Sequence, residues 1–258
     1  MVFGMASMEE ELYIVYYRPH ELDMHVHSNV DLAFRRRVPL PYLGEITDMI
    51  ACAEHKCLYF ASIQDHVFKI MTDNKTRPKV IKWQVFKSPF GLSLIKQAYE
   101  VRLLVTFDNG VLVEMNEDGG RVREIVLKTP VDCLYHAVKL KSGRYVISYR
   151  EKSCMRREMI SIVDDDGMIM QNYGDSWMPW TWRRVIYPRH MAVDGDGFVF
   201  VTDKGSSDLN DSRVVLLNPS LQFVRSIAIK SRPLSLHLHQ KLRRLFIKHD
   251  FEVSILQL

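Results

Sequence analysis

Short runs in which apolar and polar residues alternate dominate this chain, and polar turns separate them. Pairs of such runs joined by a turn recur, as in MIACAEHKCLYFAS from Met49 and AVKLKSGRYVISY from Ala137. A two-residue period is typical of β-strands, and no stretch has the sustained 3.6-residue period of an amphipathic helix. The pattern therefore predicts an all-β protein.

The strand–turn–strand unit occurs six times along the chain. Its first strands align on one apolar residue each, namely Phe3, Met49, Leu92, Ala137, Met191 and Leu234. A third and a fourth strand follow most units, and the unit recurs roughly every 40–50 residues, a spacing typical of propeller blades. The repeat predicts a six-bladed β-propeller of four-stranded antiparallel blades.

The predicted blades divide a single domain as follows: about 1–45, 46–88, 89–132, 133–187, 188–232 and 233–258. The sixth blade ends with FEVSILQL, a third strand, so its outer strand is predicted to be missing. We expect the chain to be the propeller part of a longer protein or a trimmed form of one. Any missing upstream segments would then set the oligomeric state.

The fifth unit, PRHMAVDGDGFVFVTDKGSSDLNDSRVVLLNPS, resembles an NHL repeat. The segments PFGLSL, YHAVKLKSGRYVIS and RPLSL are looser copies. The order of the repeats is similar to that of the C-terminal propeller of metazoan tripartite-motif (TRIM-NHL) proteins. The sequence has no zinc-ligand spacing or heptad run like those of the upstream domains of these relatives, so ubiquitin-ligase activity is not assigned.

Propeller topology places the loops on two faces. The top face carries the loops between second and third strands and those between blades, and the remaining turns lie on the bottom face. Basic residues outnumber acidic ones in the predicted top-face loops, although the formal net charge is only +4. The Asp-Gly pairs of residues 194–197 are predicted to form a bottom-face hairpin turn.

The connection GDSWMPWTWRRVIYPRH between blades four and five combines tryptophan with arginine, the residue types most enriched at binding hot spots. The predicted partner-binding residues are Trp177, Trp180, Trp182, Arg183, Arg184, Arg156, Arg157 and Arg189. Our main hypothesis is a non-enzymatic interaction module that binds a protein partner through the top face. Single-stranded RNA is an alternative ligand, because bases stack on aromatic rings and phosphates pair with arginine. The tryptophans alternatively pack between blades.

The residue before each aligned position is predicted to lie at the mouth of the central channel: Val2, Asp48, Gly91, His136, His190 and Pro233. Asp48, His136 and His190 are the candidate ligands of a divalent metal. The peptide-amidating lyases, which resemble NHL propellers, hold zinc at this mouth, so a metal-dependent lyase or hydrolase is a further alternative. We favour neutral histidines bonded to loop carbonyls, with no cofactor and no catalytic residue.

Composition limits the cellular compartments in which we expect this protein. The chain has 258 residues, of which 47% are hydrophobic, enough for a full core. It has no apolar run long enough for a membrane span and no signal-peptide pattern. Four cysteines do not make a disulfide framework, so we expect a cytoplasmic protein without a membrane partner. Cys52 and Cys57 flank the turn AEHK and form either a cross-strand disulfide or two thiols.

Overall fold

The computed structural model describes residues 1–18, 21–73, 78–97, 100–153, 157–173, 185–205 and 212–258. These residues form 23 strands in six antiparallel sheets. Five sheets have four strands and the last has three, each sheet in simple sequence order. The predicted all-β six-bladed propeller with an incomplete last blade is therefore confirmed. No helix in the described part of the chain is long and apolar enough to cross a membrane.

Each blade is one sheet that runs outward from the central channel. Blade one contains β1 (Val2–Met8), β2 (Glu11–Arg18), β3 (Glu21–Ser28) and β4 (Phe34–Leu40). Blade two contains β5 (Ile46–Cys52), β6 (Cys57–Ser62), β7 (His66–Met71) and β8 (Val80–Gln84). Blade three contains β9 (Pro89–Lys96), β10 (Val101–Phe107), β11 (Val111–Met115) and β12 (Arg121–Val126).

The second half of the ring follows the same plan. Blade four contains β13 (Val131–Lys139), β14 (Tyr145–Glu151), β15 (Glu158–Val163) and β16 (Ile169–Tyr173). Blade five contains β17 (Pro188–Val193), β18 (Val199–Asp203), β19 (Arg213–Leu217) and β20 (Phe223–Ala228). Blade six contains β21 (Ser235–His239), β22 (Arg244–Lys248) and β23 (Val253–Gln257).

One turn design closes several bottom-face hairpins. In the turn after β17, the Oδ1 atom of Asp194 accepts hydrogen bonds from the backbone N–H groups of Asp196 and Phe198, at 2.9 and 2.8 Å. Gly197 adopts a φ of 88°, which glycine reaches without steric cost. Asp164 makes the same pair of bonds between β15 and β16. The Asp-Gly pairs of 194–197 therefore form a hairpin turn, as predicted.

The apolar core lies between the blades. Six clusters of buried side chains each join one blade to the next around the ring. The cluster between blades six and one packs Phe246 against Val2, Met5, Leu12 and Ile14. Because one face of each sheet packs on the preceding blade and the other on the following blade, most inner and middle strands are buried on both faces.

Polar contacts also close the ring between blades six and one. The backbone N–H of Val2 donates to the carbonyl oxygen of Asp250 at 2.9 Å. The ammonium group of Lys248 donates to the carbonyl oxygen of Phe3 at 2.6 Å. One hydrogen bond between backbone groups and one from a side chain to the backbone thus take part in closure, together with the apolar cluster.

Cys52 and Cys57 lie directly opposite each other in the β5–β6 ladder, which resolves the alternatives left by the sequence. Both side chains are fully buried, and both thiols are free. A hydrogen bond between the two sulfur atoms, together with burial, raises the pKa of Cys52. The same bond lowers the pKa of Cys57.

Candidate functional site

Strand register identifies the residues at the channel mouth. Met49 pairs with Phe60, Leu92 with Val105, Ala137 with Ile147 and Met191 with Val201 in their respective blades. These pairs occupy equivalent places in the blades. Asp48, Gly91, His136 and His190, which precede them, therefore hold equivalent positions, as the repeat predicted.

The predicted positions in the two terminal blades were wrong. In blade six Leu236, not Leu234, pairs with the central residue of the next strand, so Ser235 takes the mouth position that was predicted for Pro233. The segment LSLHLH alternates with period two, so a shift of two residues leaves its apolar pattern unchanged. In blade one Met5 pairs with Ile14 after a bulge between Val2 and Gly4, so the equivalent position is Gly4 and not Val2.

The backbone of Leu92 links three blades at this mouth. Its N–H donates to the Oδ2 atom of Asp48 in blade two at 2.7 Å. Its carbonyl oxygen lies 3.0 Å from the Nε2 atom of His136 in blade four. A neutral imidazole donates through one nitrogen only, so Nε2 carries the proton of His136. We call this arrangement of Asp48, Leu92 and His136 the interblade clasp.

His190 from blade five lies beside the interblade clasp. Its Nε2 atom is 3.4 Å from the Oδ2 atom of Asp48, and that of His136 is 3.7 Å from the same oxygen. Burial raises the pKa of Asp48, but the two histidines and the N–H of Leu92 outweigh it and lower the pKa overall. Burial and the neighbouring His190 lower the pKa of His136 to about 3. Asp48 is therefore ionised and His136 is neutral at neutral pH.

The fit of a metal ion to Asp48, His136 and His190 depends on which atoms are available. One ligand atom from each residue lies within 4.8 Å of the others, and the Nδ1 atoms of both histidines have no hydrogen-bond partner among the described residues. However, the Nε2 atom of His136 donates to Leu92, and both oxygens of Asp48 accept backbone N–H groups. Asp48 and the Nε2 atom of His136 are thus already hydrogen-bonded, which leaves the Nδ1 atoms of the two histidines as ligand atoms without a hydrogen bond, fewer than the three protein ligands of a catalytic zinc centre.

Hydroxyl groups of the second strands support the same inner ring. The hydroxyl of Ser148 donates to the carbonyl oxygen of Arg189 in the next blade at 2.6 Å. The hydroxyl of Thr106 lies 3.3 Å from the carbonyl oxygen of Tyr135, also one blade further on. A small hydroxyl residue at the same place in β10, β14 and β18 was the sequence signal for these contacts.

A contiguous set of aromatic and cationic side chains borders the mouth on the top face. Phe90, Tyr135 and Arg189 directly precede the mouth residues of blades three, four and five, and Tyr187 lies just before β17. The rings of Phe90 and Tyr135 are 6.1 Å apart by centroid, and the guanidinium carbon of Arg189 lies 3.7 Å from the Tyr135 ring and 5.7 Å from the Tyr187 ring. We call these four residues the top-face stripe.

Glu158 and Asp203 hold three of the four residues of the top-face stripe in place. Glu158, a buried carboxylate of β15, accepts hydrogen bonds from the Tyr135 hydroxyl at 3.0 Å and from Arg189 at 3.1 Å. Burial raises the pKa of Glu158, although Arg189 opposes this shift. The Oδ1 atom of the buried Asp203 accepts the backbone N–H of Tyr187 at 2.9 Å. Tyr135, Arg189 and the backbone of Tyr187 are therefore held by buried carboxylates, and the ring of Phe90 lies beside Tyr135.

The structure describes two of the eight predicted partner-binding residues. Arg189 lies in the top-face stripe, and Arg157 directly precedes β15. The other six predicted residues, Arg156, Trp177, Trp180, Trp182, Arg183 and Arg184, lie outside the described residues. The sequence interpretation missed Phe90, Tyr135 and Tyr187, because each stands singly in its own strand or loop and no cluster in the sequence marks them.

Several top-face cations are paired with acids. Lys87 lies 2.9 Å from Asp108, and Arg150 lies 2.7 Å from Asp132. The predicted excess of basic residues in these loops is thus partly neutralised within the protein. The exposed parts of the top-face stripe are consequently aromatic more than cationic.

No protein-family model matches the chain, and no curated protein matches its sequence. Solved structures do match its fold. Virginiamycin B lyase from Staphylococcus aureus is 10% identical, with a TM-score of 0.63 over 100% of this chain and 84% of that one. Kuenenia stuttgartiensis hydrazine synthase is 12% identical, with a TM-score of 0.66 over 99% and 76%. A protein of unknown function from Bacteroides caccae is 13% identical, with a TM-score of 0.67 over 96% and 90%. At these identities the likeness concerns the propeller fold alone.

Proposed function

We propose that this propeller is a non-enzymatic interaction module that binds a protein partner through its top face. The observation that carries the proposal is the top-face stripe, in which two exposed aromatic rings flank an arginine beside the channel mouth. Phe90 is 39% exposed and Tyr187 is 42% exposed. Aromatic and arginine side chains dominate binding energy in protein interfaces, and solvated aromatic rings on a rigid support suit that role.

The support of the top-face stripe favours binding with little reorganisation. Tyr135 and Arg189 are fixed by Glu158, and the backbone of Tyr187 is fixed by Asp203. Residues that are already ordered lose little conformational entropy when a partner binds. The predicted site residues Trp177, Trp180, Trp182, Arg183 and Arg184 precede Tyr187 in the same connection of the sequence. In this proposal they extend the binding surface from the top-face stripe.

A protein partner is better supported than single-stranded RNA. RNA binding depends on cations that are free to pair with phosphates. Lys87, Arg150 and Arg189 each pair with a carboxylate of the chain itself. The likeness of the fifth unit to an NHL repeat, and of the repeat order to TRIM-NHL propellers, agrees with an interaction module. A metal-dependent lyase or hydrolase has less support, because both oxygens of Asp48 and the Nε2 atom of His136 already take part in hydrogen bonds.

The proposal is tested by comparing affinity capture from cells of the source organism by three forms of the protein. These are the wild type, the Phe90→Ser/Tyr187→Ser variant, and a Phe34→Ser control that removes an even more exposed aromatic ring from blade one. We expect a partner that the wild type and the control retain and the stripe variant loses, both after ribonuclease treatment and in high salt. Equal capture by the stripe variant contradicts the proposed surface, and ribonuclease-sensitive capture supports RNA instead.

A further inference from the structure

A second group of ligand-type side chains lies on the opposite face of the propeller. The hairpin between β5 and β6 carries Cys52, His55 and Cys57, and one ligand atom from each lies within 4.8 Å of the others. In the part of the chain that the structure describes, this is the one such group that contains thiols. From this arrangement we propose that the hairpin binds a zinc ion through Cys52, His55 and Cys57, with Glu54 in the fourth position.

The sulfur atoms are held where a zinc ion needs them. Cys52 and Cys57 lie opposite each other at the end of the ladder and are fully buried. The turn between them is fixed, because the N–H of Lys56 donates to the carbonyl oxygen of Ala53 at 3.2 Å and Lys56 has a φ of 48°. Zinc binds thiolate sulfur at about 2.3 Å in tetrahedral sites, which implies sulfur atoms roughly 3.8 Å apart. The ligand atoms of this group lie within 4.8 Å of one another, which is compatible with that spacing.

His55 is oriented as a metal-bound histidine usually is. Its Nε2 atom lies 3.3 Å from a carboxylate oxygen of Glu117 in the neighbouring blade. A histidine ligand commonly donates its second ring N–H to a carboxylate, which fixes the ring and leaves the other nitrogen for the metal. The Nδ1 atom of His55 lies 3.3 Å from the hydroxyl of Tyr59. In the zinc-bound form that hydroxyl turns to the Cys57 sulfur, which is already a hydrogen-bond partner.

Glu54 completes a four-coordinate set. Its Oε2 atom lies 3.6 Å from the sulfur of Cys52. Sulfur and oxygen ligands of one tetrahedral zinc ion lie roughly 3.5 Å apart, given zinc–ligand distances of about 2.3 and 2.0–2.2 Å. The Oε1 atom of Glu54 lies 2.8 Å from the ammonium nitrogen of Lys96. The carboxylate is exposed and reaches the site by rotation of its own side chain.

The charges around the hairpin suit this ligand set. Two thiolates and one carboxylate bring three negative charges, and zinc contributes two positive ones. Lys69 is buried next to the site, where its ammonium group donates to the carbonyl oxygen of Glu117 at 2.9 Å. Lys96 lies on the other side, paired with Glu54. These two cations offset the remaining negative charge and that of Glu117.

A bound zinc ion would join two blades. The ligands belong to the first hairpin of blade two, and Glu117 belongs to the turn between β11 and β12 of blade three. Zinc in a closed site of four protein ligands has no open position for a substrate. The inferred role is therefore structural, on the face opposite the proposed partner surface and independent of it.

The full chain is first reduced and freed of metal. The test is then a titration with cobalt, followed by a titration with zinc. Cobalt bound to thiolates gives charge-transfer absorption in the near ultraviolet, which histidine and carboxylate ligands do not produce. We expect one equivalent of cobalt to produce this absorption and one equivalent of zinc to abolish it. Cys52→Ser and Cys57→Ser should each reduce the absorption strongly. Glu117→Gln, which removes no ligand, should keep the absorption but weaken the affinity by about 10–100-fold.

Two controls separate this site from others. Cys133→Ser/Cys154→Ser should leave the titration unchanged, and so should His136→Gln/His190→Gln, which alters the interblade clasp. Circular dichroism of each variant checks that the β-structure is retained. The proposal is overturned if the wild type gives no thiolate absorption, if the absorption survives in the Cys52→Ser/Cys57→Ser variant, or if it disappears with the change at His136 and His190.

Discussion

The imidazole rings of His136 and His190 lie against each other in the channel, with centroids 3.8 Å apart and planes inclined by 35°. Two protonated rings at this distance would repel each other strongly, and His136 is also shielded from water. The stacked pair is therefore stable while His136 stays neutral. Its Nε2–H can then donate to Leu92 and hold blade four against blade three.

Because His136 must stay neutral, we predict that the free energy of unfolding decreases in acid. The pKa of His136 is about 3 in the folded protein and about 6.5 in the unfolded chain. The unfolded state therefore takes up the proton first, and the contribution of His136 to the free energy of unfolding falls as the pH decreases from about 6.5 towards 3. Denaturant unfolding at several pH values measures the effect. His136→Gln should reduce the slope in this interval, and parallel curves for the two proteins would count against a neutral buried His136.

Gly91 should not tolerate a side chain. A Cβ atom at this position would lie 2.7 Å from the carbonyl oxygen of Tyr135 and 2.9 Å from the ring of His136. Since the first contact is with backbone, the blades must shift, and we expect Gly91→Ala to lower the free energy of unfolding by roughly 1–3 kcal/mol. Gly195→Ala is the matched control, because its nearest new contact is 3.7 Å away. Similar unfolding midpoints for the two variants would contradict the close approach of blades three and four.

Arg189 and Glu158 should depend on each other energetically. Arg189→Leu leaves the buried Glu158 carboxylate without its cation, so we expect a loss of about 1–3 kcal/mol in the free energy of unfolding. In the Glu158→Gln background the same change should cost less, because the buried charge is gone while an acceptor for Tyr135 remains. Unfolding of the four proteins in a double-mutant cycle gives the coupling energy. A coupling energy of zero would mean that the ion pair does not support the top-face stripe.

The sequence predicted the parts of the fold that repeat. Alternation in each strand, the recurring unit and the Asp-Gly turns are local patterns, so six blades and the Asp194 turn followed from them. The mouth position of blade six did not, because LSLHLH has equivalent apolar residues two apart and only pairing with β22 selects Leu236. The sequence also could not show that Cys52 and Cys57 are adjacent free thiols, because this depends on how β5 pairs with β6.

Less of the candidate site than of the fold could be predicted from the sequence. Equivalent positions in the repeat identified Asp48, His136 and His190 as neighbours, but their role depends on the backbone of Leu92, which carries no sequence signal of its own. The top-face stripe draws single residues from three blades, so Phe90, Tyr135 and Tyr187 become neighbours only when the ring closes. Charge counting also overstated the basic character of the top face, because pairs such as Lys87–Asp108 form between blades.

The most direct test of the proposed function is site-specific photo-crosslinking in cells of the source organism. A photoreactive phenylalanine derivative replaces Tyr187 in the top-face stripe or, as the control, Phe34 in blade one, which is also exposed. We predict that the probe at position 187 forms a covalent adduct with a distinct protein, and that Phe90→Ser in the same chain abolishes the adduct. Adducts that form equally at positions 187 and 34, or that contain RNA in place of protein, would contradict a protein-binding top face.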